Sequence, residues 1–182
     1  FSAIKNNDKV GLLLFSDHDE KFIAPKKAST HELRVIRELL YCKPKGRKTS
    51  ISSALECLGK VLKKRAIIFL ISDFIDSGYE RFLRISNKRH DVIGISISDL
   101  REKSLPDVGL IEFEDAETGE IIYLDTGDKV LKDEFSKRKL SFTESRNRLF
   151  KSMSMDSVEI STDESYVKPL MLFFKMRAKR FR

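Results

Sequence analysis

A chain of 182 residues that is 41% hydrophobic carries enough apolar material for a packed core, so disorder is not the expectation. Its longest apolar runs, Val10 to Phe15, Ala66 to Ile71 and Leu170 to Phe174, are five or six residues long, against the roughly 20 that a bilayer-spanning helix needs. The formal charge is +7, with both signs spread along the body, and neither a secretory leader nor a metal-ligand spacing of Cys42 and Cys57 is visible, which together point to the cytoplasm.

Phe1 to Lys5 and Asn6-Asn7-Asp8 read as the last turn of a helix and the polar turn that closes it. Val10 to Phe15 has the unbroken apolar pattern of a strand buried on both faces, and Glu20 to Ala24 that of an edge strand stopped by Pro25. From Ser29 or Thr30, with Thr30 as N-cap, Leu33, Ile36, Leu39 and Leu40 recur at helical spacing and predict a helix that buries them. After the stop at Lys43-Pro44-Lys45-Gly46, a second helix carries Ile51, Leu55, Leu58, Val61 and Leu62 on one face. Ala66 to Ile71 reads as a central parallel strand that delivers Asp73 at its carboxyl end. Gly78 to Asn87 predicts a helix and Val92 to Ile97 a further buried strand.

After Pro106 the pattern changes. Val108 to Glu114 and Glu120 to Asp125 flank a glycine-containing turn and predict a hairpin. A long polar helix follows, striped by Leu131, Phe135, Phe142, Leu149 and Met153. Asp156 to Ser161 offers one more strand, and Tyr166, Leu170 and Phe174 mark the inner face of a last helix. Strands alternating with helices predict an α/β fold with a mainly parallel sheet, helices on both faces and a hairpin insertion. We expect a single domain over 1–182, with the sheet core in 1–99, the hairpin in 100–127 and the last helices and strand in 128–182.

Ligands of such sheets gather at the carboxyl ends of the strands. Thr49 and Asp73 are the pair placed there, a hydroxyl and a carboxylate that suit hard cations such as Mg²⁺ or Mn²⁺. The competing reading makes Thr49 or Ser50 the N-cap of the second helix and Asp73 the cap of the next turn. His90-Asp91 precedes a buried strand, where packing is expected rather than acid and base chemistry. Lys175, Arg177, Lys179, Arg180 and Arg182 crowd the carboxyl end without an acidic neighbour in sequence. They read as a solvated helix end or as a nucleic-acid patch. No phosphate loop, zinc-protease motif or nucleophile elbow is present.

The runs Asn6-Asn7-Asp8-Lys9-Val10-Gly11-Leu12-Leu13-Leu14-Phe15-Ser16, Arg47-Lys48-Thr49-Ser50-Ile51, Ile71-Ser72-Asp73-Phe74 and Arg89-His90-Asp91-Val92-Ile93 resemble the bacterial von Willebrand factor A-like family catalogued as domain of unknown function 58. Leu105-Pro106-Asp107-Val108-Gly109-Leu110 and Glu117-Thr118-Gly119-Glu120 are similar to its downstream hairpin. The resemblance implies a von Willebrand factor A-like (Rossmann-like) fold and a metal-ion-dependent adhesion site, with Thr49 and Asp73 at its threonine and aspartate positions and Ser50, Phe74 and Asp76 beside a partner. The Asp-x-Ser-x-Ser loop and the first central strand of that fold are missing from this sequence and are expected upstream of Phe1. Asp73-Phe74 also stands where metal-binding relatives commonly have Asp-Gly. The resemblance further implies a non-enzymatic interaction module serving a MoxR-type AAA+ ATPase in complex assembly, or another protein that offers an acidic ligand residue. The alternatives are a metal-dependent nuclease or phosphotransfer domain using Asp73 and Asp99, or a nucleic-acid binder acting through the basic tail.

Overall fold

The computed structural model describes Asn6 and residues 8–100, 107–115 and 119–180. The expected helix end at Phe1 to Lys5 lies outside the described residues. Two compact units emerge: the first is Phe1–Lys64 with Asp76–Leu83, the second Arg65–Ile75 with Arg84–Arg182.

The first unit is built on an antiparallel hairpin of β1 (Val10–Phe15) and β2 (Asp19–Lys26). β2 does not stop at Pro25. Val10 pairs with Lys26 and Leu12 with Ile23, so Ala24 and Pro25 together oppose Gly11. In such a bulge one residue has no ladder bond to make, which admits an imino acid. β1 is only half-buried, because β2 is its one partner among the described residues.

Helix α1 (Ser29–Tyr41) follows, and it turns the other way from expectation. His31 and Glu32 are buried, His31 Nε2 lying 2.9 Å from the Val10 carbonyl, whereas Leu33, Ile36, Leu39 and Leu40 are exposed. The 3.6-residue period revealed an apolar stripe but not which side meets the hairpin. The helix starts at Ser29, the earlier of the two expected positions, and its N-cap is Ala28, without a side-chain bond, in place of Thr30; Cys42 is the C-cap. Helix α2 (Ile51–Val61) buries Ile51, Ala54 and Leu55 as its spacing predicts, with Leu58 half-buried and Val61 exposed.

In the second unit β3 (Ile67–Ser72), β4 (Asp91–Ser98) and β7 (Asp156–Ser161) form a parallel sheet in the order β3-β4-β7. The mixed α/β class is therefore as the sequence predicts. β4 is the central strand; β3 lies at an edge and exposes Ile67, Phe69 and Ile71 while burying Ile68 and Leu70. An apolar run identifies a buried strand only when both its faces are covered, and one face of β3 is open.

Helices pack on both faces of this sheet. On one, Ile93 and Val158 meet Phe173 of α5 (Val167–Arg180), with Ile160 and Leu170 at the margin. The inner face of α5 is set by Leu170 and Phe173; Tyr166 and Phe174 are exposed, one residue out of phase with expectation. On the other face, Phe150 of α4 (Lys129–Ser152) and Met155 lie over Gly94. A Cβ at Gly94 would come within 3.0 Å of the Met155 methyl and 3.2 Å of the Phe150 ring, so a larger residue here would have to push both back by a few tenths of an ångström. Leu131, Phe135, Phe142, Leu149 and Met153 are half-buried.

Helix α3 (Glu80–Arg89) runs from the first unit's segment into the second, where Asn87 donates to the Met153 carbonyl at 2.9 Å. β5 (Leu110–Glu114) and β6 (Ile121–Asp125) form the expected hairpin. Its base is closed by fully buried Thr126, whose hydroxyl donates to the Gly109 carbonyl at 2.6 Å and accepts from the Val108 N–H at 3.1 Å.

Candidate functional site

In the first unit, Thr49 ends a loop held by a single carboxylate. Glu20 Oε1 accepts the backbone N–H groups of Lys45 at 2.8 Å and Gly46 at 2.9 Å, together with the Ser16 hydroxyl at 2.8 Å. The Gly46 N–H and the Ser16 hydroxyl lead in holding the Glu20 acid down to about 2. Gly46 is required here for space: a Cβ would stand 1.9 Å from Asp17 Oδ1 and 2.3 Å from Ser16 Oγ. The next tether is the Ser50 N–H, which donates to the Ser16 carbonyl at 2.8 Å.

Ser50 is the N-cap of α2, its hydroxyl accepting from the Ser53 N–H at 3.3 Å. Asp76 completes the cap: Oδ2 takes the Ile51 N–H and Oδ1 the Ser77 N–H, each at 2.7 Å. A carboxylate at this end also meets the positive pole of the helix dipole. Ser50 and Asp76 are thus engaged in starting a helix. Thr49, half-buried, immediately precedes the cap and is not itself the capping residue.

In the second unit, Asp73 is exposed just beyond β3, and its Oδ1 accepts the Ile75 N–H at 3.0 Å in an Asx turn. Phe74 adopts φ +63°, backbone that glycine takes freely and a bulky side chain does not. Its N–H donates to Ser72 Oγ at 3.0 Å, and its ring is fully buried against Phe150, centroids 5.1 Å apart in an edge-to-face contact. The Phe74 side chain is therefore part of the core and presents no surface to a partner. Thr49 and Asp73 belong to different units.

The hydroxyl and carboxylate are hard donors of the kind Mg²⁺ or Mn²⁺ prefers, but two protein ligands are too few for a tight site. Among the described residues no group of three or more His, Cys, Asp or Glu side chains is placed to hold a metal ion.

The basic tail is not free of acidic neighbours. Arg177 bridges Asp91 and Asp156, at the starts of β4 and β7, and Arg180 reaches Asp156 at 2.7 Å. These partners are distant in sequence and meet Arg177 only through the parallel sheet. Lys175 and Lys179 are exposed, and Arg182 lies outside the described residues.

His90 and Asp91 point to different partners. His90 is 3% exposed; its Nδ1 accepts the Ala66 N–H at 3.3 Å, and its Nε2 has no hydrogen-bond partner among the described residues. Burial, and secondarily the Arg89 charge, hold its pKa below the ordinary 6.5. Asp99 accepts the Thr162 hydroxyl at 2.6 Å, where β4 and β7 end.

Two functional-looking groups escaped the sequence reading. Glu20 was an ordinary strand acid until the loop folded over it. Arg146 is buried on α4, donating to Ser96, Glu159 and Asn147. Its only sequence signal is its place one turn before Phe150.

The family described as "Protein of unknown function DUF58" matches residues 1–145. The chain belongs to this family. DUF58 relatives include an uncharacterized protein of Mycobacterium avium, 26% identical over 85% of this chain and 94% of its own length. Uncharacterized proteins of Mycobacterium bovis and Mycobacterium tuberculosis are each 26% identical over 75% of this chain, which spans only 43% of their length. No solved structure matches the chain. Among the described residues no helix is long and apolar enough to cross a membrane.

Proposed function

We propose that this DUF58 chain is a cytoplasmic, non-enzymatic interaction module of von Willebrand factor A-like type that assists a MoxR-type AAA+ ATPase in complex assembly. The observation that carries the reading is Asp73, an exposed carboxylate in a tight turn at the carboxyl end of a parallel strand. Supporting it, β3, β4 and β7 run parallel, so their carboxyl ends share one edge of the sheet. Thr49 on the first unit and Asp73 on the second are the contact residues of this reading, and each by itself would hold Mg²⁺ or Mn²⁺ weakly or not at all. The nucleic-acid reading loses support because Arg177 and Arg180 are already paired with carboxylates.

The test is binding of the chain to an immobilised MoxR-type ATPase, with calorimetric titration of Mg²⁺ and Mn²⁺ alongside. Asp73→Ala and Thr49→Ala are expected to weaken the complex at least tenfold while leaving the circular dichroism unchanged. Equal binding by the variants and the parent chain sinks the reading.

A further inference from the structure

Two exposed apolar surfaces of opposite charge lie on this chain, one on each unit. The first is the outward stripe of α1, where Leu33 is 61% exposed, Ile36 41% and Leu40 73%. These residues fall at i, i+3 and i+7, with exposed Arg34 and Arg37 at their side, two cations that share the single carboxylate of Glu38. The surrounding segment 26–48 holds eight lysines and arginines against two glutamates. The second surface is one face of the β5–β6 hairpin. Its register sets Leu110 opposite Asp125, Glu112 opposite Tyr123 and Glu114 opposite Ile121, so three apolar and three acidic side chains alternate across a single face. Leu110, Tyr123 and Ile121 are 71, 65 and 51% exposed. Segment 107–125 contains seven acidic residues and no lysine or arginine, in a chain whose net charge is +7.

We infer that the acidic hairpin face of one copy receives the basic α1 stripe of a second copy. The dimensions agree: Leu33 to Leu40 spans about 10 Å along a helix axis, and a five-residue strand spans about 14 Å. Leucines and isoleucine meet Leu110, Ile121 and Tyr123, while Arg34 and Arg37 meet Glu112 and Glu114. The contact joins two different surfaces, so it is head-to-tail, and each copy keeps one surface open for the next. Charge steers the encounter and sets the register, and a contact this small makes the association weak and sensitive to salt.

Sedimentation velocity of the chain over a concentration series, at low and at high salt, reads this directly. The association constant is expected to fall about tenfold at high salt as the exposed charges are screened. The pair Glu112→Lys with Glu114→Lys, and the pair Arg34→Glu with Arg37→Glu, are each expected to lower it about tenfold or more at low salt. An equimolar mixture of the two variants regains association, because each supplies the surface the other has lost and the two reversed surfaces are again opposite in charge. Leu40→Asp tests the same helix face through a single exposed position should the arginine variant lose its fold. A sedimentation coefficient independent of concentration at both salts overturns the inference, as do variants that associate like the parent chain. A mixture that stays monomeric while the parent associates overturns it too, since the contact then lies elsewhere.

Discussion

Replacing Phe74 by glycine and by alanine separates two effects that oppose each other at this residue. The ring is fully buried and packs edge-to-face on Phe150, while the backbone sits at φ +63°. Removing a buried phenylalanine ring costs about 3–5 kcal/mol. Holding a residue with a Cβ in the left-handed region costs about 1–2 kcal/mol, which glycine escapes. Both variants are therefore destabilised, but Phe74→Gly is expected to be more stable than Phe74→Ala by about 1 kcal/mol. At an ordinary position alanine would be the more stable by about 0.5–1 kcal/mol. The chain has no tryptophan, so unfolding in urea is followed by far-ultraviolet circular dichroism. With a slope of about 2 kcal/mol per molar urea, the glycine midpoint should lie about 0.5 M above that of alanine. An alanine variant as stable as the glycine variant, or more so, refutes the assignment of backbone strain to Phe74.

Three further measurements bear on the rest of the molecule. Glu20 is held at about 2 against an ordinary 4.5, so its share of stability is present above pH 4.5 and is lost as the pH falls toward 2; Glu20→Gln should flatten acid unfolding over that window, and an unchanged acid limb would show that the loop is not held this way. His90 has a lowered pKa, so the unfolded chain binds its proton more readily: stability is full above pH 6.5 and declines as the pH drops below it, and His90→Asn, which keeps an acceptor for Ala66, should remove that part of the slope. Arg177→Ala leaves Asp91 and Asp156 without their shared cation and should cost about 2 kcal/mol, below the roughly 3–5 kcal/mol of a fully buried pair because both carboxylates are partly hydrated. Arg180→Ala, at an exposed pair, should cost under about 0.5 kcal/mol; equal losses for the two arginines would contradict the distinction.

The apolar runs that became β3 and β4, and the spacing of Val158 and Ile160 in β7, were legible because strand length and composition are local properties, as was the hairpin with its glycine turn. Ser50 as a helix cap was legible for the same reason. What the sequence could not give is phase and pairing. The stripe of α1 is real, yet the helix anchors itself by His31 to the start of β1 and turns Leu33, Ile36 and Leu40 outward. Likewise α5 docks through Phe173, one residue from the expected Phe174, because Arg177 two turns from Leu170 is pinned to two strand starts. At the candidate site, Asp73 could be read from its position after an apolar strand. The left-handed backbone of Phe74 and the capture of the Lys45 and Gly46 amides by Glu20 could not, since both arise only once the loops close.

The cap on α2 has a consequence for the order in which the chain can assemble. Its first free amide, Ile51, is met by a carboxylate from Asp76, which leaves the ribosome 25 residues later and only after the whole of β3. The first unit is interrupted in sequence by a strand that belongs to the second. A nascent chain ending at Lys64 therefore holds every strand and helix of the first unit's opening segment but not the group that finishes α2. Synthesis of one unit must run well into the other before either is complete, which ties their birth together.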